Sequence, residues 1–151
     1  MATTKGRIKA ISVSQEKGTQ KTNIPRAELK ADFGIIGDAH SGNWHRQVSL
    51  LALESIDKMI AKGAKVAPGN FAENITTEGI DLCALEMGSR LKLGTEVELE
   101  ITQFGKKCHS HCEIFEQIGD CIMPREGIFA KVVKAGTIKV GDHIEVIANE
   151  N

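Results

Sequence analysis

The sequence predicts a mainly β fold: a closed or nearly closed β-barrel of many short strands, with two or three short helices. Short apolar runs recur along the chain and are separated by turn residues, which is typical of many short strands. The 15 glycines and 3 prolines suit tight turns between such strands. Closure into a barrel removes the exposed edges that an open sheet would leave. The 151 residues are predicted to form one domain, residues 1–151.

The N-terminal third is predicted to contain two strands and one long loop. Residues 7–14 carry β-branched side chains on both faces and form the first predicted strand. Residues 22–29 form a second one, although Pro25 confines it to an edge or an irregular segment. A glycine-punctuated loop over residues 32–46 follows, and loops of this length are usually binding loops or mobile lids.

A buried strand over residues 47–52 is predicted to lead into a helix over residues 53–62. Gly63 supplies the C-terminal stop of this helix. The predicted apolar face of the helix consists of Leu53, Ile56 and Ile60, with Met59 beside them.

The second half of the chain is predicted to be mostly strand. Predicted strands cover residues 71–77, 90–93, 96–102, 128–134, 137–140 and 143–147. In the strand over residues 96–102, Val97, Leu99 and Ile101 face one way and polar residues face the other, which indicates a half-exposed strand. A capping box over residues 110–113 predicts a short helix that ends at Gly119.

Composition excludes several classes of function. The formal net charge is −1, with 19 Lys and Arg against 20 Asp and Glu, so there is no basic excess for nucleic acid. Aromatic residues make up 4% of the chain, too few for base-stacking platforms. No apolar run approaches the roughly 20 residues of a membrane helix, and no hydrophobic signal region opens the chain. We therefore expect a cytoplasmic protein without a membrane partner.

The chemistry is predicted to lie in a cluster of cysteine and histidine residues. Cys108 follows Lys106 and Lys107 and precedes the predicted helix N-terminus. Both surroundings favour the thiolate, which is the reactive and metal-binding form. In a reducing compartment, such clusters are more often catalytic or metal-binding than structural disulfides. The alternative is that Cys108 only packs at a loop–helix junction.

Two further cysteines extend the cluster and leave its role open. The candidate catalytic thiols are Cys108, Cys112 and Cys121. The ligand types of a zinc site are also present, although their spacing is uncommon; these candidate ligands are Cys108, Cys112, His109 and His111, with Cys121 as a possible third thiolate. Cys83, between Leu82 and Ala84, is predicted to be buried packing.

Basic residues near the cluster and in the long loop are candidates for contact with an anion. Each has an equally simple reading as a loop or turn residue, and Arg125 as the partner of Glu126. These candidates are Lys106, Lys107, Arg125, His40, His45 and Arg46.

The residues resemble a known family. Residues 68–80, with the pair Glu73–Asn74, are followed by residues 91–94, by Cys108 and by residues 127–142 with a closing Gly-Asp turn. In this order and spacing they resemble MOSC domains, named for the C-terminal domain of molybdenum cofactor sulfurase. The match runs over nearly the whole chain. The resemblance implies a β-strand-rich barrel and a role in molybdenum cofactor metabolism.

The resemblance also implies roles for single residues. Cys108 matches the cysteine proposed to carry sulfur as a persulfide or to ligate molybdenum. Glu73 and Asn74 match a Glu-Asn pair of the family, and Arg46 matches its basic residue before a strand. These residues are therefore candidates for binding the cofactor. No pyridoxal phosphate is expected, because in larger sulfurases it belongs to a separate desulfurase domain.

Two departures from the family pattern affect the functional hypothesis. Family members often carry Pro before the cysteine, where this chain has Lys107, and the family mechanism does not require Cys112 or Cys121. The hypothesis is a protein that transfers sulfur or binds molybdenum cofactor (molybdopterin) or molybdenum through Cys108, with the cofactor or a sulfur-donor protein as partner. Whether it is an enzyme stays open. The alternatives are a non-catalytic carrier of cofactor or oxyanion, and a structural zinc site.

Overall fold

The strands of the computed structural model, which describes residues 4–16, 21–71, 73–104 and 127–147, close into a β-barrel. In chain order they are β1 (Lys5–Val13), β2 (Thr22–Ile24), β3 (Arg26–Lys30), β4 (Gly34–Ile35), β5 (Val48–Ala52), β6 (Ile75–Glu78), β7 (Arg90–Leu93), β8 (Val97–Phe104), β9 (Ile128–Lys134), β10 (Gly136–Lys139) and β11 (His143–Ile147). One helix, α1 (Leu53–Ala61), and one 3₁₀ turn, Leu82–Ala84, accompany them. The predicted mainly β barrel is confirmed.

The barrel closes because β1 pairs with two strands of the ring. The hydrogen-bonded order is β11, β7, β8, β9, β5, β6 and β1, and β1 then pairs again with β11. Arg7 lies opposite His143 on β11 and opposite Glu78 on β6. The pair β5–β6 is parallel, and α1 provides the crossover that a parallel pair requires.

The predicted second strand forms two short strands, one on each side of Pro25. β2 extends the barrel sheet beyond β1, whereas β3 belongs to a separate sheet of order β10, β3, β4. Proline has no backbone N–H and cannot continue a ladder of hydrogen bonds. The short strand β4 was not predicted; it lies within the loop over residues 32–46.

Alternating side chains fill the barrel. Val97, Leu99 and Ile101 of β8 are at most 1% exposed, which confirms the predicted alternation. They belong to one apolar cluster with side chains from most of the other strands. The ends of β8 and β9 lie side by side, since Phe104 and Ile128 are Cα partners.

A second apolar cluster covers the outside of β5, where α1 packs. Its buried members are Leu51, Ile56, Met59, Ala64, Phe71 and Phe129. The predicted helix is confirmed, but its predicted face is wrong at Ile60, which is 46% exposed. Ile56 and Met59, three residues apart, face the sheet instead, and this turns Ile60 toward solvent. The predicted helix over residues 110–119 lies outside the described residues.

Candidate functional site

The loop before β5 holds a guanidinium against two aromatic rings. The Cζ atom of Arg46 lies 4.7 Å from the centroid of the Trp44 ring and 5.7 Å from that of Phe129, both within cation–π range. The Nε atom of Arg46 is buried and has no hydrogen-bond partner within the described part of the chain. A buried donor without a partner costs about 1–3 kcal/mol. An anion that reached this donor would remove that cost.

His45 fixes the same loop to the end of β8. Its Nε2 atom lies 2.9 Å from Oε1 of Gln103. The hydroxyl of Thr102 lies within hydrogen-bond distance of the carbonyl oxygens of His45 and Phe129. The loop therefore contacts the outer face of β8 and β9 at Thr102 and Gln103, the two residues that precede Phe104.

The cysteine-rich segment is attached beside this loop. Residues 105–126 connect Phe104 of β8 to Gly127 and β9, and these two strand ends are neighbours. The predicted site residues Lys106, Lys107, Cys108, His109, His111, Cys112, Cys121 and Arg125 lie outside the described residues. The structure thus locates the two points of the barrel from which the segment starts and to which it returns.

His40 contacts a buried ion pair that the sequence did not indicate. The Nζ atom of Lys21 lies 2.7 Å from Oδ1 of Asp38 and 3.1 Å from Nδ1 of His40. Both side chains of the Lys21–Asp38 pair are fully buried. Burial by itself would raise the pKa of Asp38, but the hydrogen bonds from Lys21 and from the Ser14 N–H hold that pKa below its ordinary value.

Asn74 joins three strands from a buried position. Its Oδ1 atom accepts hydrogen bonds from the N–H and the hydroxyl of Ser49, at 3.0 and 3.2 Å. Its Nδ2 atom donates to the carbonyl oxygen of Ser12, at 3.1 Å. The Asn74 amide therefore fastens β5, β6 and β1 together. Ser49 is in turn the Cα partner of Phe129, which lies under Arg46.

Glu73 is also buried and satisfied within the protein. One carboxylate oxygen accepts the N–H of Phe71 and the other accepts the hydroxyl of Thr76. Burial raises the pKa of Glu73 above its ordinary value. The charged form therefore costs stability, and the protonated form is favoured.

Glu73→Gln is expected to change how stability depends on pH. Because the folded-state pKa of Glu73 is raised, the protonated carboxyl group contributes its full stability below the unfolded pKa of about 4.3. That stability is lost as pH rises through the folded pKa. Glutamine does not ionise, so the free energy of unfolding of the variant should increase relative to that of the wild type as pH rises. Urea unfolding from pH 4 to pH 8 measures this difference; a constant difference across that range would contradict the shifted pKa.

A cleft opens at the N-terminal end of α1. Its volume is about 510 Å³, and Glu54, Asp81 and Cys83 are among the residues that line it. The prediction that Cys83 packs in the core is wrong, because Cys83 is exposed. In the 3₁₀ turn Leu82 fills the inward position at 1% exposure, so the next side chain faces outward.

The structure brings some of the predicted site residues together. His45 and Arg46 share the outer face of β8 and β9, His40 is joined to them through Trp44, and Asn74 reaches the same face through Ser49. Trp44, Lys21, Asp38 and Phe129 were not predicted, although the lone tryptophan between two histidines in a long loop was a usable signal. Among the described residues, no group of three or more His, Cys, Asp or Glu side chains is arranged to hold a metal.

In the ranges that the structure describes, no helix is long and apolar enough to cross a bilayer.

Comparison with known proteins places the chain among related folds. The family model of the MOSC domain matches residues 37–145. YuaD of Bacillus subtilis is similar in structure, with a TM-score of 0.78 and 19% identity over 94% of this chain and 95% of that one. YiiM of Geobacillus stearothermophilus gives 0.71 and 17%, over 95% and 75% of the two chains. YiiM of Escherichia coli gives 0.66 and 16%, over 96% and 71%. No curated protein matches the sequence.

Proposed function

Because this chain belongs to the MOSC domain family, we propose that it acts in molybdenum cofactor metabolism through the thiolate of Cys108. In this role Cys108 carries sulfur as a persulfide or binds the cofactor. The observation that carries the proposal is the buried Nε of Arg46, which has no hydrogen-bond partner among the described residues and belongs to a guanidinium that lies near the rings of Trp44 and Phe129 beside the end of β8.

The position of Arg46 suits an anionic group next to a reactive thiol. Cys108 follows Phe104 by four residues, and four residues of chain span at most about 14 Å. Chain connectivity therefore keeps the Cα atom of Cys108 within that distance of Phe104, which follows Gln103, the residue that His45 contacts. A phosphate or molybdate group bound near that end would come within reach of both the guanidinium and the thiolate.

Different residues of this chain would bind the cofactor and transfer the sulfur. The cofactor, when bound, supplies a molybdenum ion with affinity for a thiolate. Arg46 and His45 would contact its anionic part, together with Lys106, Lys107 and Arg125. Glu73, Asn74 and His40 would hold neighbouring parts of the site in place and would not contact the cofactor, because their polar atoms hydrogen-bond to other parts of the protein.

The sulfur-transfer step needs only a persulfide donor. The Cys108 thiolate attacks the outer sulfur of a donor persulfide, R–S–SH, and forms a new S–S bond. The S–S bond of the donor breaks, and the donor leaves as the thiolate R–S⁻. Cys108 then carries –S–SH, and no external oxidant or reductant is consumed. Cys112 or Cys121 would accept or share this sulfur.

Loading the protein from a persulfide donor is expected to add one sulfur atom at Cys108. Peptide mass spectrometry should find the added mass on Cys108 in the wild type and not in Cys108→Ser. Cys83→Ser is the matched control, since it removes an exposed thiol that lies outside the cluster, and it should keep the modification.

Cofactor retention and metal analysis of the same proteins distinguish the proposal from its alternatives. If Cys108 gains no sulfur and the protein retains no cofactor, the proposal is wrong. If Cys108→Ser retains as much cofactor as the wild type, the protein is a non-catalytic carrier of cofactor or oxyanion, in which Arg46 binds the anion without help from a thiol. One tightly held zinc per chain, found by metal analysis, would instead indicate a structural Cys/His site.

A further inference from the structure

The fully buried ion pair between Lys21 and Asp38 calls for an explanation other than stability. Both side chains are 0% exposed, and the Nζ–Oδ1 distance is 2.7 Å. Removing two charges from water costs about as much as their attraction returns, so such pairs are weak evidence for a stabilising role. Where they are kept, setting a specific arrangement of neighbouring groups is a better-supported use.

The Lys21 ammonium fixes the protonation pattern of His40. Its Nζ atom lies within hydrogen-bond distance of Asp38 Oδ1, His40 Nδ1 and Ser14 Oγ, at 2.7, 3.1 and 3.3 Å. An ammonium group has three donors and no acceptor. The Nδ1 atom of His40 must therefore accept, and the neutral ring carries its proton on Nε2.

The same cluster is connected to Arg46 by a short series of contacts. The second carboxylate oxygen of Asp38 accepts the backbone N–H of His40, at 3.1 Å. The carbonyl oxygen of His40 then accepts the indole N–H of Trp44, at 2.8 Å. The Trp44 ring lies 4.7 Å from Arg46 Cζ. The ion pair thus holds both the ring and the backbone of His40, and the backbone of His40 holds the indole.

We propose that Lys21 is a positioning residue for anion binding at Arg46: with Asp38 it locks His40 in the Nε2–H tautomer and sets the indole on which the guanidinium rests. This inference rests on the proposed function in one respect, namely that Arg46 binds an anionic group. The tautomer of His40 does not depend on that function.

The binding arm of the test uses Trp44, the only tryptophan of the chain. Inorganic phosphate is titrated into the wild type, Arg46→Met and Lys21→Met while the tryptophan emission is recorded. We expect saturable binding in the wild type and none in Arg46→Met. Lys21→Met should bind about tenfold more weakly, the factor expected when one charge-assisted hydrogen bond is misaligned.

The spectroscopic arm measures the tautomer directly. Nitrogen-15 chemical shifts of the His40 ring should show an unprotonated Nδ1 and a protonated Nε2 in the wild type. In Lys21→Met the two tautomers should mix. Asp38→Asn, which removes the charge but keeps a side-chain oxygen, goes through both arms as well and serves as the readout if Lys21→Met does not fold.

Loss of stability alone is separated by a core variant. Ile144→Val removes one methyl group from the barrel interior, where Ile144 is fully buried, and should lower the melting temperature while the phosphate affinity and the His40 shifts stay unchanged. If Lys21→Met binds phosphate as tightly as the wild type, or if wild-type His40 carries its proton on Nδ1, the positioning role is wrong. If the wild type binds no phosphate but shows the expected tautomer, the anion site fails and the tautomer lock stands.

Discussion

Asn74→Ala is expected to lower the free energy of unfolding by about 2–6 kcal/mol, because two buried main-chain groups would each be left without a hydrogen-bond partner, at a cost of about 1–3 kcal/mol per group. The groups are the N–H of Ser49 and the carbonyl oxygen of Ser12, which both bond to the Asn74 amide. Asn74 is 1% exposed, so water cannot replace the lost contacts without opening the barrel. Chemical denaturation followed by circular dichroism measures the change.

Asn70→Ala is the matched control for this prediction. Asn70 lies in the same stretch of chain, and its Oδ1 atom accepts one exposed hydrogen bond from the N–H of Ala67, at 2.9 Å. Its replacement should cost no more than about 1 kcal/mol. Equal losses in the two variants would mean that Asn74 does not fasten the strands.

Lys21→Met is expected to destabilise the protein by about 3–5 kcal/mol at neutral pH, since it leaves the buried carboxylate of Asp38 without its counter-charge. Because the pKa of Asp38 is lowered in the folded protein, this loss of stability should depend on pH. The ionised carboxylate stabilises the folded protein above the unfolded pKa of about 3.9, and that stabilisation disappears as pH falls through the folded pKa. The difference in free energy of unfolding between wild type and variant should therefore be smaller at pH 3 than at pH 7. Denaturant unfolding at the two pH values measures it.

Arg7→Met removes the cation from an exposed ion pair. Comparing its loss of stability with that of Lys21→Met shows how much of the Lys21→Met effect depends on burial. Arg7 lies 3.3 Å from Glu78, and its side chain is 65% exposed. Water and salt screen such a pair, so the loss should stay within about 1 kcal/mol. A Lys21 variant as stable as the Arg7 variant would show that water reaches Asp38 in the folded protein.

The regular part of the fold was predictable from local patterns. The alternation of Val97, Leu99 and Ile101 identifies a strand with one buried face, and proline's lack of an N–H explains why no single strand runs through Pro25. The face of α1 was only half predicted, because helical spacing allows either Met59 or Ile60 to join Ile56. Packing against Leu51 decides between them, and that contact is absent from the local sequence.

The candidate site depends on contacts between distant residues, which no local pattern encodes. Nothing near Lys21 in the sequence indicates that it pairs with Asp38, 17 residues away. Glu73 and Asn74 were noticed through a family resemblance. Their burial, and the hydrogen bonds by which Asn74 links Ser49 to Ser12, follow only from the assembled barrel.

The double pairing of β1 has a consequence for synthesis on the ribosome. This early strand needs β6 and β11 as neighbours, and β11 is the last of the described strands to be made. Until then, one edge of the nascent sheet stays open to pairing with other chains, a recognised route to aggregation. Pairing between strands so far apart in sequence is also slow, on the order of milliseconds to seconds in β-rich domains. The growing chain should therefore benefit from a chaperone that shields this edge until β11 has been made.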